Sequence, residues 1–169
     1  MNLTIDIGNT RTKIALFDGE TFVREEKFEN TDAEHLLNVV KEKEAEGLAF
    51  CSVAAENPLL VEALKQLPYP VLEVKGTTPA PVTVAYRTPE TLGADRLAAV
   101  VGAVTLKPQT DLLVVDAGTC ITYDFVDAAG NYLGGNISPG VEMRLEALHN
   151  CTARLPRIEA DGDTPDIGH

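Results

Sequence analysis

The sequence predicts an α/β fold built from two similar units, on three observations. Strand patterns alternate with helix patterns along the first hundred or so residues. An Asp-x-Gly segment closes a buried-type strand twice, at Asp6-Ile7-Gly8 and at Asp116-Ala117-Gly118. Each is followed by a second strand and an acidic, glycine-containing turn, and the two copies share one offset of 110 residues (116 minus 6, 118 minus 8). A repeat of a supersecondary unit suggests two domains facing each other across a cleft, read as residues 1–110 and 111–169.

Leu3, Ile5 and Ile7 alternate with Thr4 and Asp6, the period of a strand with one buried face. The pattern ends at Gly8-Asn9-Thr10, and an apolar run over 14–17 supplies the next strand. Asp18-Gly19 is a hairpin signal leading to a third strand over 22–28, which completes an antiparallel meander. Thr31-Asp32-Ala33-Glu34 fits a capping box, and Leu36, Leu37 and Val40 form the apolar stripe of a helix expected to end at Gly47. A buried-type strand over 48–53 follows, and Asn57-Pro58 caps and starts a second helix. Residues 71–74 read as a further strand, 76–89 as a Thr-, Pro- and Gly-rich loop, and 92–106 as a helix. At Asp111 the pattern restarts, with a strand over 112–119, another over 121–126 and a turn over 127–131. Residues 134–140 read as a glycine-rich loop opening a last helix, with Val141, Leu145 and Leu148 on one face.

Composition narrows the function. A chain of 169 residues that is 44% hydrophobic can bury a core, and no window approaches the eighteen or so apolar residues of a membrane span. Met1 leads directly into a strand, so no signal or transit segment is expected and the protein is placed in the cytoplasm. A net charge of −12 with scattered Lys and Arg argues against a nucleic-acid partner. An acidic protein that binds a nucleotide must supply local compensation from backbone N–H groups, a few cations and bound metal. Cys51, Cys120 and Cys151 lack metal-ligand spacing and are read as reduced and structural. His35, His149 and His169 are read as packed or solvated, and the sequons at Asn2, Asn136 and Asn150 carry no weight without a secretion signal.

Four segments could do chemistry. In Asp6-Ile7-Gly8-Asn9-Thr10-Arg11-Thr12-Lys13, Gly8 and Asn9 tolerate positive φ, so successive N–H groups can converge on an anion. Thr10 adds a hydroxyl, Lys13 a cation, and Asp6 a carboxylate able to hold a magnesium ion, possibly through water. A plain hairpin is the blander reading of that segment. Asp116-Ala117-Gly118-Thr119 offers the same parts again, and the pair would grip a nucleotide's phosphates from two sides. In the third, Thr91-Leu92-Gly93-Ala94-Asp95-Arg96, Asp95 lies at the mouth of a mostly apolar helix, where it is either a cap or the base that receives an alcohol proton. The fourth, Gly134-Gly135-Asn136-Ile137-Ser138-Pro139-Gly140, permits close approach to a ligand or is a connector. Walker A, G-x-G-x-x-G and H-E-x-x-H patterns are absent.

Taken in order, D-I-G-N-T-x-x-K, Tyr86 with L-G-A-D-R, D-A-G-T and G-G-N-I-S-P-G make the chain resemble type III pantothenate kinase over nearly its whole length. The resemblance implies a duplicated actin-like (ribonuclease H-like) fold of mixed sheets flanked by helices. It implies ATP binding by Asp6, Ile7, Gly8, Asn9, Thr10, Arg11, Thr12, Lys13 and Thr119, and pantothenate binding by Tyr86, Gly93, Ala94, Asp95 and Arg96. Asp95 would be the catalytic base and Asp116 the ligand of a monovalent cation, potassium or ammonium, acting beside magnesium. Lys13 and Arg96 are the cationic candidates. A homodimer is implied, with no nucleic-acid or membrane partner. A regulatory nucleotide-binding relative without turnover, and another actin-like small-molecule kinase, are the alternatives.

Members of the family continue past the Ile167-Gly168 region, which resembles the start of a segment lending a Thr to the substrate site across a dimer interface. The second domain is therefore expected to be incomplete, with an apolar face at Val114, Ile121 and Leu145 lacking a partner. The 169-residue polypeptide is expected to be poorly stable and inactive on its own.

Overall fold

The computed structural model describes residues 1–29, 33–42, 45–53 and 58–159. The proposed helix caps at Thr31-Asp32 and Asn57, and the Ile167-Gly168 region, lie outside the described residues. Two mixed sheets flanked by helices form an α/β fold.

In the first sheet β1 (Asn2–Ile7), β2 (Arg11–Asp18) and β3 (Thr21–Glu29) form the expected antiparallel meander. β4 (Gly47–Ser52) and β5 (Val71–Glu73) add in parallel on the other side of β1, giving the order β3-β2-β1-β4-β5. Parallel neighbours need crossovers, which α1 (Ala33–Lys41) and α2 (Pro58–Lys65) provide. Alternation works as read: Leu3, Ile5, Ile7, Ile14 and Leu16 turn inward with Leu48 and Phe50, against Leu36, Val40, Leu60 and Leu64 of the helices. α1 stops before residue 47, because Gly47 opens β4 and pairs with Asn2.

β6 (Thr83–Val84), β7 (Leu112–Ala117), β8 (Cys120–Val126) and β9 (Asn131–Pro139) form the second sheet in the order β6-β9-β8-β7. β7, β8 and β9 repeat the meander of β1, β2 and β3, which is the duplication in structural form. Two corrections to the sequence reading arise here. Residues 134–139 belong to β9 rather than to a loop, paired along β8 from Cys120 to Phe125. The loop stretch contains β6, two residues long, paired in parallel with Asn131 and Tyr132.

α3 (Ala94–Leu106) follows a short 3₁₀ turn and packs on the second sheet. Leu92, Leu97 and Val100 share a core with Val126 and Tyr132, so this second core draws on residues that precede Asp111. α4 (Val141–Asn150) contributes no buried residue. The open apolar face also differs from expectation. Val114 packs against the second core, and the exposed apolar residues on the opposite face of β7 and β8 are Leu113, Val115 and Phe125. Among the described residues no helix is long and apolar enough to cross a membrane.

α3 supplies an internal stability test. Leu97 is 1% exposed and Leu106 is 80% exposed. Leu97→Ala should cost about 2–5 kcal/mol and Leu106→Ala less than about 0.5 kcal/mol, read from denaturant midpoints. Equal losses would contradict this packing of α3.

Candidate active site

The β1–β2 turn brings the first set of groups together. Asp6, next to last in β1, pairs with Lys13 of β2, and Lys13 Nζ lies 3.4 Å from Asp6 Oδ2. On its other side β4 places Cys51, whose thiol donates to Asp6 Oδ1 at 3.6 Å. Burial, then the negative charge of Asp6, pushes the Cys51 thiol up to about 12, so it stays a protonated donor. Asp95 adds to that upward push and Lys13 opposes it, which puts Asp95, from α3, within electrostatic reach of the same corner.

The turn itself differs from the expected nest. Among the described residues the positive-φ positions are Gln109, Gly19, Gly130 and Gly134, so neither Gly8 nor Asn9 is left-handed. The Gly8 N–H instead donates to the Arg11 carbonyl at 3.0 Å, closing the turn tightly. Thr10 is exposed at its tip, whereas Ile7 and Thr12 are buried, leaving those two little but backbone to offer a ligand.

The second turn meets the first. Thr10 Oγ1 lies 3.2 Å from Thr119 Oγ1, across a separation of 109 residues. Asp116 and Thr119 are exposed, and the Gly118 N–H closes the turn on the Cys120 carbonyl at 2.9 Å. Gly140 braces it from behind: its N–H donates to the Thr119 carbonyl at 3.0 Å, and a Cβ there would collide with the Gly118 and Thr119 carbonyl oxygens.

The mouth of α3 is the third part. Gly93 is the cap residue and offers no side-chain bond, so the Asp95 carboxylate does the capping, accepting the Arg96 N–H at 2.8 Å. The Arg96 guanidinium points into the second core, where it is 5% exposed, and packs over the Tyr86 ring with Cζ 5.8 Å from the centroid. Asp124 pairs with it there, a residue the sequence reading did not single out. Arg96 Nε donates to both carboxylate oxygens at 3.0 and 3.1 Å, and Nη2 and the Tyr132 hydroxyl both donate to Oδ1. The hydrogen bonds to Asp124 hold Arg96 well above its ordinary range, and burial raises Tyr132. Gly135 makes room for this, since a Cβ would strike the Tyr123 carbonyl, Asp124 and Arg96. The glycines of β9 and its end thus admit neighbouring parts of the protein.

The described residues contain no group of three His, Cys, Asp or Glu side chains able to cage a metal. Asp6 is a single half-buried carboxylate, a donor set that suits magnesium only if phosphates and water complete the shell.

The model of the family described as "Type III pantothenate kinase" matches residues 2–169. The chain belongs to the type III pantothenate kinase family. A type III pantothenate kinase of Bacteroides fragilis is 49% identical over 99% of this chain and 69% of its own length. That of Phocaeicola vulgatus is 46% identical, with the same shares covered. Among solved structures, a Campylobacter jejuni protein described as a Baf family transcriptional activator aligns over 97% of this chain and 68% of its own. Its TM-score is 0.58 at 23% identity. An Aquifex aeolicus Ppx/GppA phosphatase covers 87% of this chain and 54% of its own at a TM-score of 0.50 and 18% identity. These two likenesses speak to the fold.

The three cysteines are free, but only Cys51 is buried, so Cys120 and Cys151 are not the packed residues the sequence suggests. Iodoacetamide at about pH 8 should modify Cys120 and Cys151 in the folded protein and reach Cys51 only in denaturant. Intact-mass spectrometry should count two adducts before unfolding and three after; a third adduct on the native protein would show that the Asp6 corner is open.

Proposed function

We propose that this protein transfers the γ-phosphoryl group of ATP to the primary hydroxyl of pantothenate, giving 4′-phosphopantothenate and ADP at the start of coenzyme A synthesis. One observation carries the reading. Gly93-Ala94-Asp95-Arg96 forms the mouth of α3, within electrostatic reach of the Asp6 corner, in a chain that matches this kinase family from residue 2 to residue 169.

ATP would lie with its phosphates between the two turns, contacted by backbone and side chains of 6–13 and by the Thr119 hydroxyl. The approach of Thr10 to Thr119 supports this, since one bound phosphate group could reach both. Lys13 would offset phosphate charge. Asp6 would hold magnesium mainly through water and phosphate oxygens, and that ion would neutralise charge on the transferring group. Asp116, exposed at the end of β7, would hold potassium or ammonium beside the phosphates. The two units proposed from the repeat, 1–110 and 111–169, would each supply one turn, with α3 as the joint between them.

Pantothenate would sit against Tyr86, Gly93, Ala94, Asp95 and the backbone of Arg96, whose guanidinium is engaged by Asp124 in the core. Its hydroxyl oxygen forms the new bond to the γ-phosphorus as the bond to the β–γ bridging oxygen breaks, and that oxygen leaves with the electron pair on ADP. Asp95 accepts the hydroxyl proton, so the transfer balances. Catalysis on this account is chiefly placement and electrostatics. The family resemblance extends the proposal to a cytoplasmic homodimer with no membrane partner, and the net charge of −12 speaks against nucleic acid.

ADP release by the full-length protein with pantothenate, potassium and magnesium tests the reading, with sugars and acetate as controls. Turnover confined to pantothenate is expected; turnover with a control acceptor alone would refute it. Asp95→Asn should leave ATP affinity nearly unchanged and lower turnover about a hundredfold or more. If most turnover survives, Asp95 is only a helix cap. Replacing potassium by sodium should weaken ATP binding in the wild type and make no difference in Asp116→Asn. Equal nucleotide affinity of the wild type in both salts would sink the cation assignment.

A further inference from the structure

We infer that Asp124 is a positioning residue for the acceptor side of this site, acting through Arg96. The inference rests on the proposed kinase function and adds a residue that neither the motifs nor the family resemblance assigns.

Asp124 is 1% exposed and Arg96 5% exposed, and both sit where an apolar pair would pack α3 against the second sheet equally well. What an apolar pair could not do is fix direction. The carboxylate takes Arg96 by two nitrogens, Nε shared between both oxygens at 3.0 and 3.1 Å and Nη2 on Oδ1, and two nitrogens held at once restrain the guanidinium's rotation as well as its place. Tyr132, fully buried on β9, donates its hydroxyl to the same carboxylate and restrains it from the far side. Two consequences reach the site. The guanidinium plane supports the Tyr86 ring. The Asp95 carboxylate accepts the Arg96 backbone N–H at 2.8 Å, so the residue whose side chain Asp124 anchors and the proposed base share the first turn of α3. Asp124 therefore anchors the support of the Tyr86 ring and the first turn of α3 from a buried position.

The test is steady-state kinetics of Asp124→Asn in the full-length protein. This variant keeps the shape of the side chain and removes its charge. Wild-type turnover with pantothenate reports on the kinase reading. The ratio of variant to wild type, on whichever acceptor the wild type uses, reports on Asp124. The acceptor KM should rise about tenfold or more while the ATP KM stays within about twofold. The double variant Asp124→Asn/Arg96→Lys should be no worse than the poorer single variant, because both lesions break one fork. A lower melting temperature with both KM values unchanged, an equal rise in both, or multiplicative effects in the double variant would each overturn the inference. If Asp124→Asn is insoluble, Tyr132→Phe decides, since it removes one restraint and no charge. A severalfold rise in acceptor KM alone supports the inference, and an unchanged acceptor KM overturns it.

Discussion

The buried pair of Arg96 and Asp124 is the constraint on which the rest of the second half depends. Removing either partner would strand a charge in the core, at a cost of about 3–5 kcal/mol. The pair therefore dictates its surroundings. β9 must carry glycine at 135, because a side chain there would occupy the space of the Tyr123 carbonyl and the pair itself. Tyr132 must face inward to share the carboxylate, and α3 must enter the sheet with its first turn over β8. With α3 so placed, Asp95 of its first turn comes within electrostatic reach of the corner where Asp6, Lys13 and Cys51 stand.

Duplication supplies the other half of the geometry. The meander β1, β2, β3 and the meander β7, β8, β9 each begin with a strand whose next-to-last residue is aspartate and which leads into a tight turn. Their hydroxyl-bearing tips, Thr10 and Thr119, come within hydrogen-bonding distance. In the first copy the turn closes on the Arg11 carbonyl. In the second it closes on Cys120 and is braced by Gly140. Neither turn gains its shape from left-handed backbone, so tight closure and glycine's small size take the place of positive φ at both.

How much of this was legible in the sequence depended on whether a residue's own neighbours encode its environment. β1 and β2 were readable because one face is buried and the other is not, so Leu3, Ile5 and Ile7 display the period of two directly. The mouth of α3 was readable because glycine, acid and an apolar run stand in the order a helix start requires. β9 was not, because Gly134, Gly135 and Pro139 lack strand propensity; the strand exists because β8 provides a ladder and the packing tolerates no side chain at 135. β6 is too short to show any period. Asp124 was hidden most deeply. Hydrophobicity alone turns Phe125 inward and Asp124 out, yet Phe125 is 41% exposed and Asp124 is buried, since its partner Arg96 lies 28 residues earlier in the chain. Pattern reading is blind to a charge whose burial is justified from a distance.

The central claim is that a nucleotide held between the two turns presents its γ-phosphate to an acceptor lying at the mouth of α3. A crystal structure of the full-length protein with a non-hydrolysable ATP analogue and pantothenate tests it most directly. The account predicts phosphate oxygens between Thr10 and Thr119, and the pantothenate primary hydroxyl about 2.6–3.2 Å from an Asp95 carboxylate oxygen, facing the γ-phosphorus. Phosphates bound away from both turns, or an acceptor hydroxyl out of reach of Asp95 with the nucleotide in place, would contradict it.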